Sequence, residues 1–434
     1  MRLRAWQPGP YDSVTNVIDR VVVTGIGAVT PVGLGREETW DALCAGKSGV
    51  GEITAFDASN LPVRIAAEVR GFDPTAHLDA KRLRRTARFA QFAVVAAREA
   101  VTDAGLRLDD TDRERVGVVV NAAVAGFDTI EDATRRIVAN PAARLSPYFV
   151  ASSLTNMPAC EIAMDLGIHG PVNASALACA SGLYAVVEAA RLIRAGEADV
   201  VLCGGTDAAI TPVMFSGLTV MGALSRRNDD PAGASRPFDA DRDGFVFGEG
   251  AVVLVVESER HARARGARVY AEYAGGALTC DAFHVTAPEP SARYAAAAID
   301  RALRTAGTKP DEVDYICAHG TGTKANDRSE TKAIRRVFGE AADRLAVSSP
   351  KSMVGHLIGA AGALGAMVAV LAIRDQRVPP TVNLHTPDPE CDLDYVPGVA
   401  RDMPVRTTLT QAFGFGGQNC AAVFTAYETG EKRG

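Results

Sequence analysis

No two of the eight cysteines (positions 44, 160, 179, 203, 280, 317, 391 and 420) lie within three residues of each other. The chain therefore lacks the paired spacing of a thiolate zinc site, and no metal centre is expected. Most of these cysteines sit in apolar runs such as Val200-Val201-Leu202-Cys203, the pattern of free thiols buried in a reducing cytoplasm. A basic excess is also missing: 46 Lys and Arg against 52 Asp and Glu leave a net charge of −6, which gives no support for nucleic acid as a partner. The polar stretch Met1 to Asp19 lacks the apolar segment of a signal peptide and reads as a loose extension. The longest charge-free run, Leu357 to Ile373, has seventeen residues and contains Gly359, Gly362 and Gly365. A membrane span needs about 20 residues, so this run reads as a helix buried on all sides rather than a membrane segment.

What is present is an alternation. Arg20 to Gly27, Arg115 to Val120, Ala198 to Cys203 and Gly248 to Glu257 read as buried strands, with amphipathic helices at Ala80 to Ala104 and Ser181 to Ala195. After about residue 266 the rhythm repeats: strands at 269–273, 313–318, 345–348 and 420–427, helices at 292–306, 330–338 and 357–373. Apolar strands alternating with helices predict an α/β protein whose sheets are covered on both faces. The division is an extension over 1–19, a first half over 20–265, a second half over 266–428 and a tail over 429–434. The opening Gly25-Ile26-Gly27 resembles a dinucleotide fingerprint, but Thr30 stands where the third glycine belongs, so the cofactor reading fails.

Four short segments, spread over about 240 residues, put reactive side chains among small ones: Ala178-Cys179-Ala180-Ser181-Gly182, Ala318-His319-Gly320-Thr321-Gly322-Thr323, Lys351-Ser352-Met353-Val354-Gly355-His356 and Gly414-Phe415-Gly416-Gly417. Cys179 stands just before a helix, whose N-terminal amides favour a thiolate. His319 ends a strand in a glycine turn. His356 begins the buried helix, where an N-terminus keeps an imidazole neutral. Lys351, in an otherwise uncharged stretch, needs a counter-charge, and Glu330 is the candidate. The Phe415 ring among glycines suits a gate, and its amide could complete an oxyanion hole with that of Cys179.

Together with Val21-Val22-Val23-Thr24-Gly25, Ser235-Arg236-Pro237-Phe238-Asp239 and Arg242-Asp243-Gly244-Phe245, these segments make the chain resemble the elongating β-ketoacyl-acyl-carrier-protein synthases of the Cys-His-His type, from Arg20 to about Tyr427. The resemblance implies the thiolase fold, two pseudo-related halves in a five-layer α-β-α-β-α stack, as a dimer. It implies that Cys179 takes the acyl group and that His319 and His356 assist decarboxylation of malonyl-carrier protein. Lys351 and Glu330 would set the electrostatics, Thr321 and Thr323 would bind the phosphopantetheine arm, and Val124 and Phe149 would shape the acyl pocket. No tightly bound cofactor is implied, because the substrates ride on the phosphopantetheine of acyl carrier protein.

Thr323 to Thr331 and Pro379 to Leu384 resemble the ketosynthase subunit of bacterial type II polyketide systems, which pairs with a chain-length factor, whereas Phe413-Gly414-Phe415 resembles the homodimeric fatty-acid branch. The polyketide ketosynthase is the favoured expectation. Fatty-acid elongation and a non-catalytic chain-length-factor-like subunit are the alternatives, and retention of the Cys-His-His set argues against the last. A degradative thiolase would use a second cysteine, for which Cys420 is a poor match. Lys81, Arg82 and Arg85 with Arg226 and Arg227 form candidate basic patches for docking the acidic carrier protein.

Overall fold

Runs such as Val21-Val22-Val23 and Val252-Val253-Leu254 combine β-branched stiffness with apolar surface on both faces, which suits strands covered on two sides. In the computed structural model, which describes residues 19–428, they form ten strands of one hydrogen-bonded sheet. The expected tail at 429–434 and, Asp19 apart, the expected N-terminal extension lie outside the described residues. The strands are β1 (Val21–Val29), β2 (Val116–Asn121), β3 (Val172–Asn173), β4 (Val200–Asp207), β5 (Gly250–Ser258), β6 (Ala271–Cys280), β7 (Tyr315–Cys317), β8 (Ala346–Ser348), β9 (Thr407–Gly414) and β10 (Gln418–Thr425).

Across the sheet the first half runs β3-β2-β4-β5-β1 and the second β8-β7-β9-β10-β6. Counted within each half, both orders are 3-2-4-5-1. Strand directions match as well: β2 is parallel to β3 and β4, β7 is parallel to β8 and β9, and the remaining pairs are antiparallel. The halves join where Val21, Val22 and Val23 pair with Tyr273, Glu272 and Ala271. A repeat without residue-level identity is thus explicit in the topology.

The main helices are α1 (Arg88–Asp103), α2 (Ser181–Arg194), α3 (Pro212–Val220), α4 (Arg293–Ala306), α5 (Lys324–Phe338) and α6 (Ala361–Asp375). Helix α1 covers the outer face of the first half, and α4, backed by α5, covers that of the second. Helices α2 and α6 pack on each other and touch strands of both halves, so they form the middle of five layers. The fold is the expected α/β, thiolase-type stack.

The apolar run beginning at Leu357 is a 3₁₀ turn at Ile358–Ala360 followed by α6, and nearly all of it is buried. Among the described residues, Ile358–Asp375 is the one helical stretch long and apolar enough to cross a membrane, and 89% of it is buried inside the protein. The helix expected from Ala80 to Ala104 is broken: a short turn at Ala80–Leu83, capped by Asp79, is followed by an irregular stretch before α1. Gly25 and Gly27 let β1 approach the backbone of α1 closely. A Cβ on Gly27 would lie 2.0 Å from the Ala96 carbonyl oxygen of α1. Gly27→Ala should therefore destabilise the protein by about 1–3 kcal/mol through overpacking. Denaturant unfolding checks this, and an unchanged midpoint would contradict the close approach.

Candidate active site

The nucleophile elbow is built by the chain around Cys179. Ala178 takes a left-handed conformation (φ 47°), Ser181 Oγ accepts from the Leu177 N–H at 2.8 Å, and the Asn121 side chain donates to the Ser181 carbonyl at 2.8 Å. Cys179 follows this turn at the start of α2 and is buried. The N–H groups of Phe415 and of Cys179 itself favour the charged form of its sulfur.

Small residues bring the second half of the site against this elbow. A Cβ on Gly182 would meet the Gly359 carbonyl oxygen at 2.6 Å, and one on Gly205 would meet the same atom at 2.2 Å. Only bare backbone permits that approach, so three glycines seat the start of α2 and the end of β4 against the turn that follows His356.

His319 and His356 are both buried, with ring centroids 5.5 Å apart and planes at 85°. The Ile358 N–H donates to His356 Nδ1 at 3.1 Å, which leaves the ring proton on Nε2. Lys351 Nζ donates to the His319 carbonyl oxygen and stands 3.5 Å from His319 Nδ1, which orients that ring in the same tautomeric sense. Burial holds both imidazoles well below the ordinary histidine pKa, and the Lys351 charge depresses them further. Both rings are therefore neutral Nε2–H donors, suited to an oxyanion rather than to delivering a proton.

Cys179, His319, His356, Phe415, Thr321, Thr323 and Val124 all line one cavity of about 650 Å³. Its apolar wall includes Met214 and Leu218 of α3, Phe245 and Ile358, and its rim includes Lys324 and Asn326. Thr321 and Thr323 face each other with hydroxyl oxygens 3.0 Å apart. Buried Arg242 fixes their turn: it pairs with Asp327 (3.1 Å) and Asp388 (2.8 Å), and Asp327 accepts from the Gly322 N–H at 3.3 Å.

Two family models match the chain in succession: the N-terminal domain of β-ketoacyl synthase over residues 19–262 and its C-terminal domain over 270–385. The chain belongs to the β-ketoacyl synthase family. This synthase, an acyltransferase by family, is 47% identical over 409 residues to 3-oxoacyl-[acyl-carrier-protein] synthase 2 of Synechocystis sp., covering 94% of this chain and 98% of that one. The protein of the same name from Coxiella burnetii is 46% identical over 406 residues, covering 94% and 98%. Among solved structures, the ishigamide ketosynthase/chain length factor matches with a TM-score of 0.89 at 38% identity, over 94% of this chain and all of that one. A type II polyketide synthase acyl carrier protein in complex with its ketosynthase matches with a TM-score of 0.87 at 36% identity, again over 94% and 100%.

Within the synthase site, several expectations need correcting. Glu330 forms no ion pair with Lys351. It lies behind the His319 turn, accepting from the His319 N–H (2.6 Å), the Gly320 N–H (2.7 Å) and the Gln411 amide (2.7 Å). Its role is to fix that backbone, and its charge reaches Lys351 only at longer range. Cys179 is not a ready thiolate. Burial pushes its thiol up to about 11, with Lys351 and the Phe415 and Cys179 amides offsetting only part of that. Phe149 does not line the cavity; it lies in a separate pocket with Arg84, Arg85 and Ser152.

The basic helix face is also reduced. Arg82 and Arg85 turn onto buried Glu161 and half-buried Asp165, and Arg88 pairs with Glu249 at 2.8 Å. Lys81 and Arg226 remain exposed, and Arg227 is half-buried. Cys420 is buried in β10 and does not line the cavity, so it offers no second thiol there. Sequence reasoning missed Asn121, Asp207, Gln411 and the exposed rim residue Lys324. Asp207 had a signal: an acid ending an apolar strand after Gly204-Gly205.

Nitrogen-15 NMR should show both active-site rings in the neutral Nε2–H form at pH 6, below the ordinary histidine midpoint of about 6.5. Imidazolium signals from either ring at that pH would contradict the tautomer assignment.

Proposed function

We propose that this chain elongates carrier-bound acyl chains by decarboxylative condensation with malonyl-acyl carrier protein, in a bacterial type II polyketide system of the cytoplasm. The observation that carries the chemistry is the convergence of one buried thiol and two neutral imidazole donors on a single cavity. In the first step the Cys179 sulfur attacks a carrier thioester. The sulfur–carbonyl bond forms, the pantetheine sulfur leaves, and the proton lost by Cys179 ends on that leaving thiol. Lys351 and the two amides meet charge as it develops on sulfur and on the thioester oxygen.

In the second step the malonyl C–C bond breaks and carbon dioxide departs. Its electron pair delocalises onto the thioester oxygen, facing the Nε2–H groups of His319 and His356. The enolate carbon then attacks the acyl carbonyl, and Cys179 leaves with the displaced pair and takes one proton from solvent to return to the thiol. Neutral donors stabilise the oxygen without protonating the nucleophilic carbon. Thr321 and Thr323 bond the phosphopantetheine arm, Val124 contributes to the acyl wall, and Phe415 gates the cavity. Carrier protein would dock on Lys324 at the rim, with Arg226, Lys81 and Arg227 as outlying cations.

The polyketide assignment draws on the segments around Thr323 and Pro379, on the ketosynthase/chain length factor and on the type II polyketide synthase ketosynthase among the structural neighbours. Fatty-acid elongation is the second reading, favoured by the 47% identity to a 3-oxoacyl-[acyl-carrier-protein] synthase 2. The partner follows the same division: a chain-length-factor-like homologue in the first case, a second copy in the other. Val172 of the edge strand β3 is exposed, as are Val138 and Val150, apolar surface available to either partner. Phe149 lies in a pocket with Arg84, Arg85 and Ser152, apart from this chain's own cavity. An acyl-pocket role for it then requires delivery to the other subunit's cavity.

Incubation with a labelled acyl-carrier thioester should leave one acyl group on Cys179, and Cys179→Ala should abolish it in intact-protein mass spectrometry. Acylation that survives this substitution would overturn the reading. Native mass spectrometry of the complex purified from its source should find a homologous, cysteine-lacking partner, whereas a homodimer carrying saturated acyl groups would move the assignment to fatty-acid elongation.

A further inference from the structure

Asp207, the last residue of β4, is fully buried, and no step above uses it. Its carboxylate accepts four backbone N–H groups: Ala123 at 3.0 Å and Gly359 at 2.8 Å on Oδ2, Val124 at 3.0 Å and Ala125 at 3.1 Å on Oδ1. Among the described residues no Lys or Arg forms an ion pair with it. The four amides offset only part of the cost of burying it, and burial pushes the carboxyl up to about 6.

The four donors come from two turns with different duties. Ala123, Val124 and Ala125 follow β2, and their turn, with Ala125 in a left-handed conformation (φ 59°), presents Val124 to the cavity. Gly359 belongs to the turn after His356, where Ile358 (φ 51°) donates the hydrogen bond that sets the His356 ring. One carboxylate therefore ties the acyl wall to the imidazole that faces the extender unit.

We propose that Asp207 is a positioning residue that sets acyl-group selection and His356 geometry together, through the turns at 123–125 and 356–359. The inference rests on the ketosynthase reading and deepens it. An asparagine could accept at one oxygen only; its NH₂ would face two donors, so one pair of amides would be lost. Gly359→Ala perturbs the same junction from the other side, because its Cβ would lie 2.5 Å from Asp207 Oδ2.

The test compares Asp207→Asn and Gly359→Ala with the wild-type complex. Two steps are read separately: transfer of acyl groups of graded length from carrier thioester to Cys179, and carbon dioxide release from malonyl-carrier protein. Both variants should lose about 10²-fold in carbon dioxide release and shift their acyl-length preference, while alkylation by iodoacetamide still titrates Cys179 fully. Release within about twofold of wild type, or an equal fall in every step that tracks loss of folded protein, would overturn the proposal. If Asp207→Asn does not fold, Gly359→Ala decides by the same readouts, and if neither folds the residue is structural and the proposal fails. Failure of the underlying reading looks different: the wild type itself would then carry no acyl group on Cys179.

Discussion

The site depends on a contact between bare backbones. Gly182, Gly205 and Gly359 let the first turn of α2, the end of β4 and the turn after His356 meet at distances no side chain would allow. Cys179 lies three residues before Gly182, and His356 three before Gly359. The closeness of thiol and imidazole is therefore a property of the middle layer, where α2 and α6 pack together between the two half-sheets. The pseudo-repeat makes this possible. Each half brings its strand ends to the same level, and the first supplies the sulfur while the second supplies the rings.

Burial then imposes conflicting demands. It keeps both imidazoles neutral, as an enolate partner requires, but it also pushes the Cys179 thiol up to about 11. Lys351 mediates between them. Its charge lowers the thiol and depresses the histidines at once, and its own pKa is lowered by the same burial. Glu330 was expected to be its partner, but it instead anchors the backbone of His319 and Gly320. A direct ion pair would have drawn the ammonium away from His319. Holding the carboxylate one turn back leaves Lys351 directed at the histidine.

Much of this was legible in the residues. The reactive segments announced themselves because Cys179, His319, His356 and Phe415 stand among glycines and alanines, where packing offers no reason for them. Strand β9 was not legible: Thr407-Thr408-Leu409-Thr410-Gln411 is mostly polar and gave no strand signal, yet Thr408 and Gln411 are buried with hydrogen-bond partners from distant segments. The basic helix face misled for a similar reason. Nothing local announces that Glu161 and Asp165, some eighty residues on, will capture Arg82 and Arg85. Composition could not give the upward push on the thiol either, since the helix N-terminus is visible in sequence while the depth of burial is not.

The central claim is that the two histidines serve decarboxylation as neutral donors and the thiol serves only acyl transfer. The direct measurement is carbon dioxide release from malonyl-acyl carrier protein by the complex already acylated on Cys179, with His319→Ala and His356→Ala compared separately. The account predicts a loss of about 10²–10³-fold in each, with the acyl group still in place on Cys179. Release at the wild-type rate in either variant, or failure to acylate Cys179 in both, would contradict it.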